Sequence, residues 1–261
     1  MRLRRLLGAG SAVLLCLAAC GADEEDPSSD SSVGSSGEVT VSAAASLTEA
    51  FTQLGKDFED ANPGADVQFN FEGSSTLAQQ INQGAPVDVF AAADQAQMQV
   101  VVEADRVAGA PTIFVANKLQ IVVPKGNPAQ VDDLAAFGEP ELAIAFCAEE
   151  VPCGAAAQEA FELAGLSPAP DTLEQDVKAV LTKVGLGEAD AGLVYVSDVI
   201  SAGGNVEGID FPEANRAINH YPIAVLQDAP NAAAAEAFVD YVLSDQGSSV
   251  LKEFGFIIDV P

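Results

Sequence analysis

A strand-like run that passes directly into a helix start recurs along this chain. That recurrence limits the fold more than any other feature. Val39-Thr-Val-Ser42 leads through three alanines to Ser46, with Glu49 three residues on and apolar residues at Leu47, Phe51, Leu54 and Phe58. Ser-x-x-Glu ahead of such spacing is a capping-box pattern, and it predicts a helix from Leu47 to about Ala61 with Ser46 as its cap. Asp66–Phe71 then reads as a strand, and Gly73-Ser74-Ser75-Thr76 as the next helix start. Val87–Ala92 is a buried strand with Asp94 as the following cap. Further on, Leu119–Pro124 and Leu142–Phe146 are strands. The second of these runs through Cys147–Cys153 into an alanine-rich helix behind Gly154, and Glu174-Gln-Asp-Val177 opens another. Leu193-Val-Tyr195-Val-Ser-Asp198 is a strand end with a phenol at its tip, Val206–Phe211 an edge strand and Tyr221–Leu226 a returning strand. Helices over about Asn231–Leu243 and Gln246–Phe254 close the chain. Repeated units of this kind predict an α/β fold with a mostly parallel sheet. In such sheets the loops that follow strands carry the ligand, and free helix N–H groups favour anions.

The front of the chain is of another kind. Arg2, Arg4 and Arg5 precede an apolar run from Leu6 to Ala19, too short to span a bilayer and laid out like a secretion signal. Leu17-Ala-Ala-Cys20-Gly resembles a bacterial lipobox, which implies cleavage after residue 19 and lipidation of Cys20. Residues 20–37 then read as an acidic, serine-rich tether. The chain is thus expected outside the cytoplasm, held to the membrane by lipid. With 11 Lys+Arg against 39 Asp+Glu, a nucleic-acid partner is excluded on charge. An acidic surface does not exclude a small anion from a closed pocket, because surface charges are screened over roughly 8 Å.

Cys16 goes with the signal, and Cys147 and Cys153 are placed for a disulfide in an oxidising compartment. The chain shows no metal-ligand spacing and no cofactor motif. A hydrolase built on Ser46 or Ser74 is disfavoured: there is no G-x-S-x-G elbow, and His220, the one histidine, reads as a structural residue. No enzyme is expected. Four helix starts and Tyr195 instead offer hydroxyls and peptide N–H groups, with no Lys or Arg in Ala43–Thr48 or Gly73–Ala78. Such a set suits a small, deprotonated, tetrahedral oxyanion. From the residues alone, a purely capping Ser46 and a packing Tyr195 stand as alternatives to that reading.

Ala43-Ala-Ala-Ser46-Leu-Thr, Gly73-Ser-Ser-Thr-Leu-Ala78, Gly84-Ala-Pro-Val-Asp-Val-Phe90, Val151-Pro-Cys-Gly154, Asp176-Val177 and Gly192-Leu-Val-Tyr195-x-Ser-Asp198 resemble the periplasmic molybdate-binding proteins of ABC importers. The resemblance covers nearly all of residues 38–261, with the motifs in the family's order. It implies a two-lobed type II binding-protein fold whose chain crosses between lobes twice, with the ligand in the cleft. Lobe 1 would be 38–118 plus 223–261, and lobe 2 would be 119–222. It further implies that Ser46, Ser74, the N–H groups of Cys153 and Val177, and the Tyr195 phenol hold molybdate or tungstate. The monomeric protein would deliver it to a membrane permease. Sulfate or another small oxyanion is the alternative ligand. Cys153 departs from the alanine frequent at that place in the family, a change that a backbone donor tolerates.

Overall fold

The computed structural model of the chain describes residues 36–260. The secretion signal, Cys20 and most of the tether lie outside those residues. In chain order the elements are β1 (Gly37–Ala44), α1 (Thr48–Ala61), β2 (Ala65–Glu72), α2 (Ser74–Asn82), β3 (Val89–Ala91), α3 (Gln95–Glu103) and β4 (Thr112–Pro124). Then follow β5 (Ile144–Cys147), α4 (Pro152–Ala164), β6 (Thr172–Glu174), α5 (Val177–Gly185), β7 (Ala191–Tyr195), α6 (Val196–Ser201), β8 (Val206–Ile209), β9 (Ile218–Val225), α7 (Ala232–Leu243) and α8 (Asp245–Glu253). Three short 3-10 turns, at Ala45–Leu47, Leu134–Gly138 and Pro212–Asn215, complete them.

The strands order as β2-β1-β3-β9-β4-β7-β5-β6, with β8 paired to β4. The sheet is mixed and not mostly parallel. β1 pairs β2 and β3 in parallel, and β5 pairs β6 and β7 in parallel. Every pairing of β4 and β9 is antiparallel. The reason is the route of the chain. β4 carries it from one set of parallel strands to the other and β9 brings it back, so the two strands run in opposite directions. β4 does this without a break: its first half, Thr112–Lys118, pairs β9, and its second half, Leu119–Pro124, pairs β7 and β8. A strand was expected only from Leu119. The three-residue β6 carried no sequence signal, since Thr172–Glu174 is half exposed.

The apolar residues sort with the strands. One buried cluster runs from Leu119 to Ala217 and includes Phe137, Phe146, Phe161, Val180 and Leu193, with Ala45 as its member from the other side. A second joins Val39, Val41, Phe51, Phe58 and Val115 to Ile223, Phe238 and Leu251. A third packs Leu77, Ile81, Phe90, Met98 and Val101 under α2 and α3. β3, β5 and β7 are buried along their whole length, which explains their unbroken apolar composition. The second cluster centres on Phe238. Its ring lies 6.2 Å from Phe51, 5.4 Å from Phe58 and 6.1 Å from Phe69, each edge-on. That ring couples α7, at the end of the chain, to the first helix.

Phe238→Ala is therefore expected to cost about 3–5 kcal/mol of stability. Urea unfolding followed by circular dichroism checks this.

Candidate functional site

The four helix starts and the strand tip come together. Ser46, Gly73, Ser74, Cys153, Val177 and Tyr195 line one cavity, together with Ala44, Ala45, Ala93, Val151, Pro152 and Asp176. All five candidate residues are at most 4% exposed. The cavity is small, with about 10 Å³ open to the centre of a water-sized sphere. Treated as a sphere, this puts the wall about 2.7 Å from the centre once the ~1.4 Å water radius is included. That is the scale of one central atom with a single shell of oxygens.

The donors arise from helix geometry. The first N–H groups of a helix have no carbonyl within it to meet. Ser74 is the first residue of α2 and Val177 the first of α5. α4 opens with Pro152, which has no N–H, so Cys153 carries the first one. A bond between Cys147 and Cys153, with Cα atoms 5.7 Å apart, closes the loop in front of that helix. Packing there is tight, since a Cβ at Gly154 would stand 1.9 Å from the Ala148 carbonyl oxygen. Asp176 turns its carboxylate to its own helix and accepts the Ala179 N–H at 2.9 Å.

The hydroxyls are oriented by their neighbours. The Ser74 oxygen accepts the Ala93 N–H at 2.9 Å, which leaves its own proton free to donate elsewhere. Ser46 and Tyr221 share a hydrogen bond of 2.9 Å between their hydroxyls. The Tyr195 hydroxyl is buried and has no partner among the described residues. Burial pushes the Tyr195 and Tyr221 phenols well above their ordinary range, so both stay protonated donors at neutral pH. The Tyr195 peptide is fixed as well: its N–H donates to the Asp198 carboxylate at 3.0 Å. Burial raises the Asp198 carboxyl to about 6, even against the pull of Lys178, 3.1 Å away.

The capping box expected at Ser46 does not form. Ser46 sits inside the 3-10 turn, and the residue capping α1 is Leu47, with no side-chain cap. The extra turn rotates the Ser46 hydroxyl out of reach of the helix N–H groups and toward Tyr221. Glu49 is freed from capping and meets Lys178 at 2.7 Å. Asp94 caps its helix as the sequence predicts. Asp176 caps α5, which starts at Val177 and not at Glu174, because Glu174 ends the strand β6. His220 stands opposite Ala116 in the β4–β9 pairing, away from the cavity.

Three contributors were not found by sequence reasoning. Gly73 is needed for space, because a Cβ there would lie 2.2 Å from the Gln175 carbonyl oxygen. Tyr221 orients Ser46 from 175 residues away. Lys178 follows Val177 directly and brings a positive charge beside the site. Only the last had a signal, a lone lysine at a helix start.

The chain matches the family model described as bacterial extracellular solute-binding protein over residues 39–257. It is 43% identical to the molybdate-binding protein ModA of Mycobacterium tuberculosis over 250 residues, 95% of this chain and 96% of that one. It is 35% identical to the molybdate-binding protein ModA of Escherichia coli over 236 residues, 85% and 90% of the two chains. Among solved structures, the periplasmic molybdate-binding protein of Azotobacter vinelandii aligns with a TM-score of 0.74 at 22% identity, over 85% of this chain and 99% of that one. The sulfate-binding protein SubI of Mycobacterium tuberculosis aligns with a TM-score of 0.73 at 16% identity, over 85% and 87%. At those identities the two structures speak for the fold alone.

The two phenols are expected to respond differently to removal of their oxygens in ligand-free protein. Tyr221→Phe orphans Ser46 and should cost about 1 kcal/mol, whereas Tyr195→Phe removes an unpartnered hydroxyl and should be neutral or stabilising. Thermal melts of the two variants without added oxyanion check this.

Proposed function

This chain belongs to the bacterial extracellular solute-binding proteins, a family of transport components and not enzymes, and from that footing we propose that it captures molybdate, and tungstate with it, for an ABC importer. The observation that carries the reading is the convergence of Ser46, Ser74, Cys153, Val177 and Tyr195 on one small, anion-sized cavity. In this reading the two serines give hydroxyl and N–H, Cys153 and Val177 give N–H, and Tyr195 gives its phenol. Each hydrogen bond to a charged ligand contributes on the order of 1.5–3 kcal/mol. Six or seven, less the cost of binding and closure, support affinities from about micromolar to nanomolar.

The chain would work as two lobes, 38–118 plus 223–261 and 119–222, hinged on β4 and β9. In support, the buried clusters part near Lys118 and again between Ala217 and Tyr221. Ser46 and Ser74 would then belong to one lobe, and Cys153, Val177 and Tyr195 to the other. Closure on the anion completes the cage and excludes water, and the closed form is what a permease would meet. Lipidation at Cys20 would keep the monomeric protein at the membrane surface.

Charge cannot separate molybdate and tungstate from sulfate, since all three are dianions. Cavity size does it, through the longer metal–oxygen bonds. Phosphate keeps a proton at neutral pH, and a cage of donors with its one carboxylate already committed leaves that proton unpaired.

Calorimetry is expected to show molybdate and tungstate binding at least about 100-fold tighter than sulfate. Ser74→Ala and Tyr195→Phe should each weaken molybdate by about 1–3 kcal/mol in folded protein. Gly73→Ala should weaken it by more than about tenfold, because the lobes cannot reach the same separation. Tight sulfate binding, or wild-type affinity in all three variants, contradicts the reading.

A further inference from the structure

The cavity is walled by neutral donors, yet a buried set of charges stands immediately behind it. Lys178 Nζ lies 2.7 Å from a Glu49 carboxylate oxygen and 3.1 Å from an Asp198 oxygen. Asp198 is fully buried, and the lysine side chain is 22% exposed. The three residues reach the proposed ligand donors through short lengths of chain. Glu49 lies in the first turn of the helix that follows Ser46, Lys178 is the residue after Val177, and the other Asp198 oxygen accepts the Tyr195 N–H.

The two ion pairs differ in what they join. Lys178 and Asp198 sit on α5 and α6, which belong with the Leu119–Ala217 cluster. Glu49 sits on α1, which belongs with the Val39–Phe256 cluster. Lys178–Asp198 therefore survives any separation of the lobes, while Lys178–Glu49 exists only when they meet. A buried carboxylate behind an anion cavity also repels the ligand unless a cation offsets it. We propose that Lys178 is a positioning residue with two tasks: it offsets the buried Asp198 charge behind the oxyanion cavity, and it latches the closed lobes through Glu49. The latch forms only once the lobes have met, so it acts on release more than on capture, and because its side chains are partly exposed, added salt weakens it.

This inference rests on the molybdate reading, so molybdate affinity of the wild-type protein is measured first. Stopped-flow kinetics then compare Glu49→Gln, Lys178→Met and the pair Lys178→Met/Asp198→Asn at low salt. Glu49→Gln is expected to release molybdate about tenfold faster with association changed less than about twofold. Lys178→Met should bind more weakly than Glu49→Gln, since it strands the Asp198 charge. Removing that charge in the double variant should return affinity to the Glu49→Gln level. Release from wild type should quicken with sodium chloride, and release from Glu49→Gln should respond far less. Failure of the wild-type protein to bind molybdate overturns the functional reading and this inference with it. Normal wild-type binding with unchanged release from Glu49→Gln, or a double variant no better than Lys178→Met, overturns the latch alone. Glu49 is 39% exposed at its side chain, so its isosteric replacement leaves the fold intact and keeps that comparison open even if a Lys178 variant folds poorly.

Discussion

A peptide N–H at the start of a helix has no partner inside that helix, and in a buried place this deficit must be met from elsewhere. The site of this protein is built on that constraint. Three helices, α2, α4 and α5, bring their first turns to one cavity too small for bulk water. The surrounding residues maintain the deficit. Ala93 occupies the acceptor side of Ser74, Pro152 removes a competing N–H, and Asp176 draws its carboxylate back to its own helix. What remains is a concave set of donors, and an anion that accepts from all sides answers it.

Charge is arranged in layers around this cavity. The chain as a whole carries a formal net charge of −28, and that surface serves solubility. Behind the cavity wall, Lys178 stands between two carboxylates. The wall itself is neutral apart from the committed Asp176. A dianion held by dipoles alone needs no cation to be displaced on release. In the proposed reading, selectivity depends on shape and on protonation state, with little contribution from net charge.

Much of this was legible because it is local. A strand that runs into a small or hydroxyl-bearing residue and then a helical pattern is written in consecutive positions, and so Ser74, Val177 and the Cys153 turn could be placed. Asp94 was a readable cap for the same reason. Ser46 was placed at the right corner, but the cap expected of it does not form, because the inserted 3-10 turn depends on where the chain must go next, and Ser-x-x-Glu does not record that. The parallel pairings followed from the strand–helix rhythm. The antiparallel β4 and β9 did not, because they follow from a return path more than a hundred residues long. Gly73, Tyr221 and Lys178 owe their importance to Gln175, Ser46 and Glu49, all distant in sequence, and a glycine needed for space looks like any turn glycine.

The contact between Gly73 and the Gln175 carbonyl has a mechanical meaning. Where side chains meet, a rotamer change can yield a few tenths of an ångström. Here the Gly73 main chain faces the Gln175 carbonyl with no room for a Cβ between them, so main chain and not side chain bounds the space. In the proposed closure the two walls would stop where these main chains meet, and main-chain geometry would set the bore of the cavity. A gauge of that sort tells apart ions of equal charge and similar shape because it does not adapt to the smaller one.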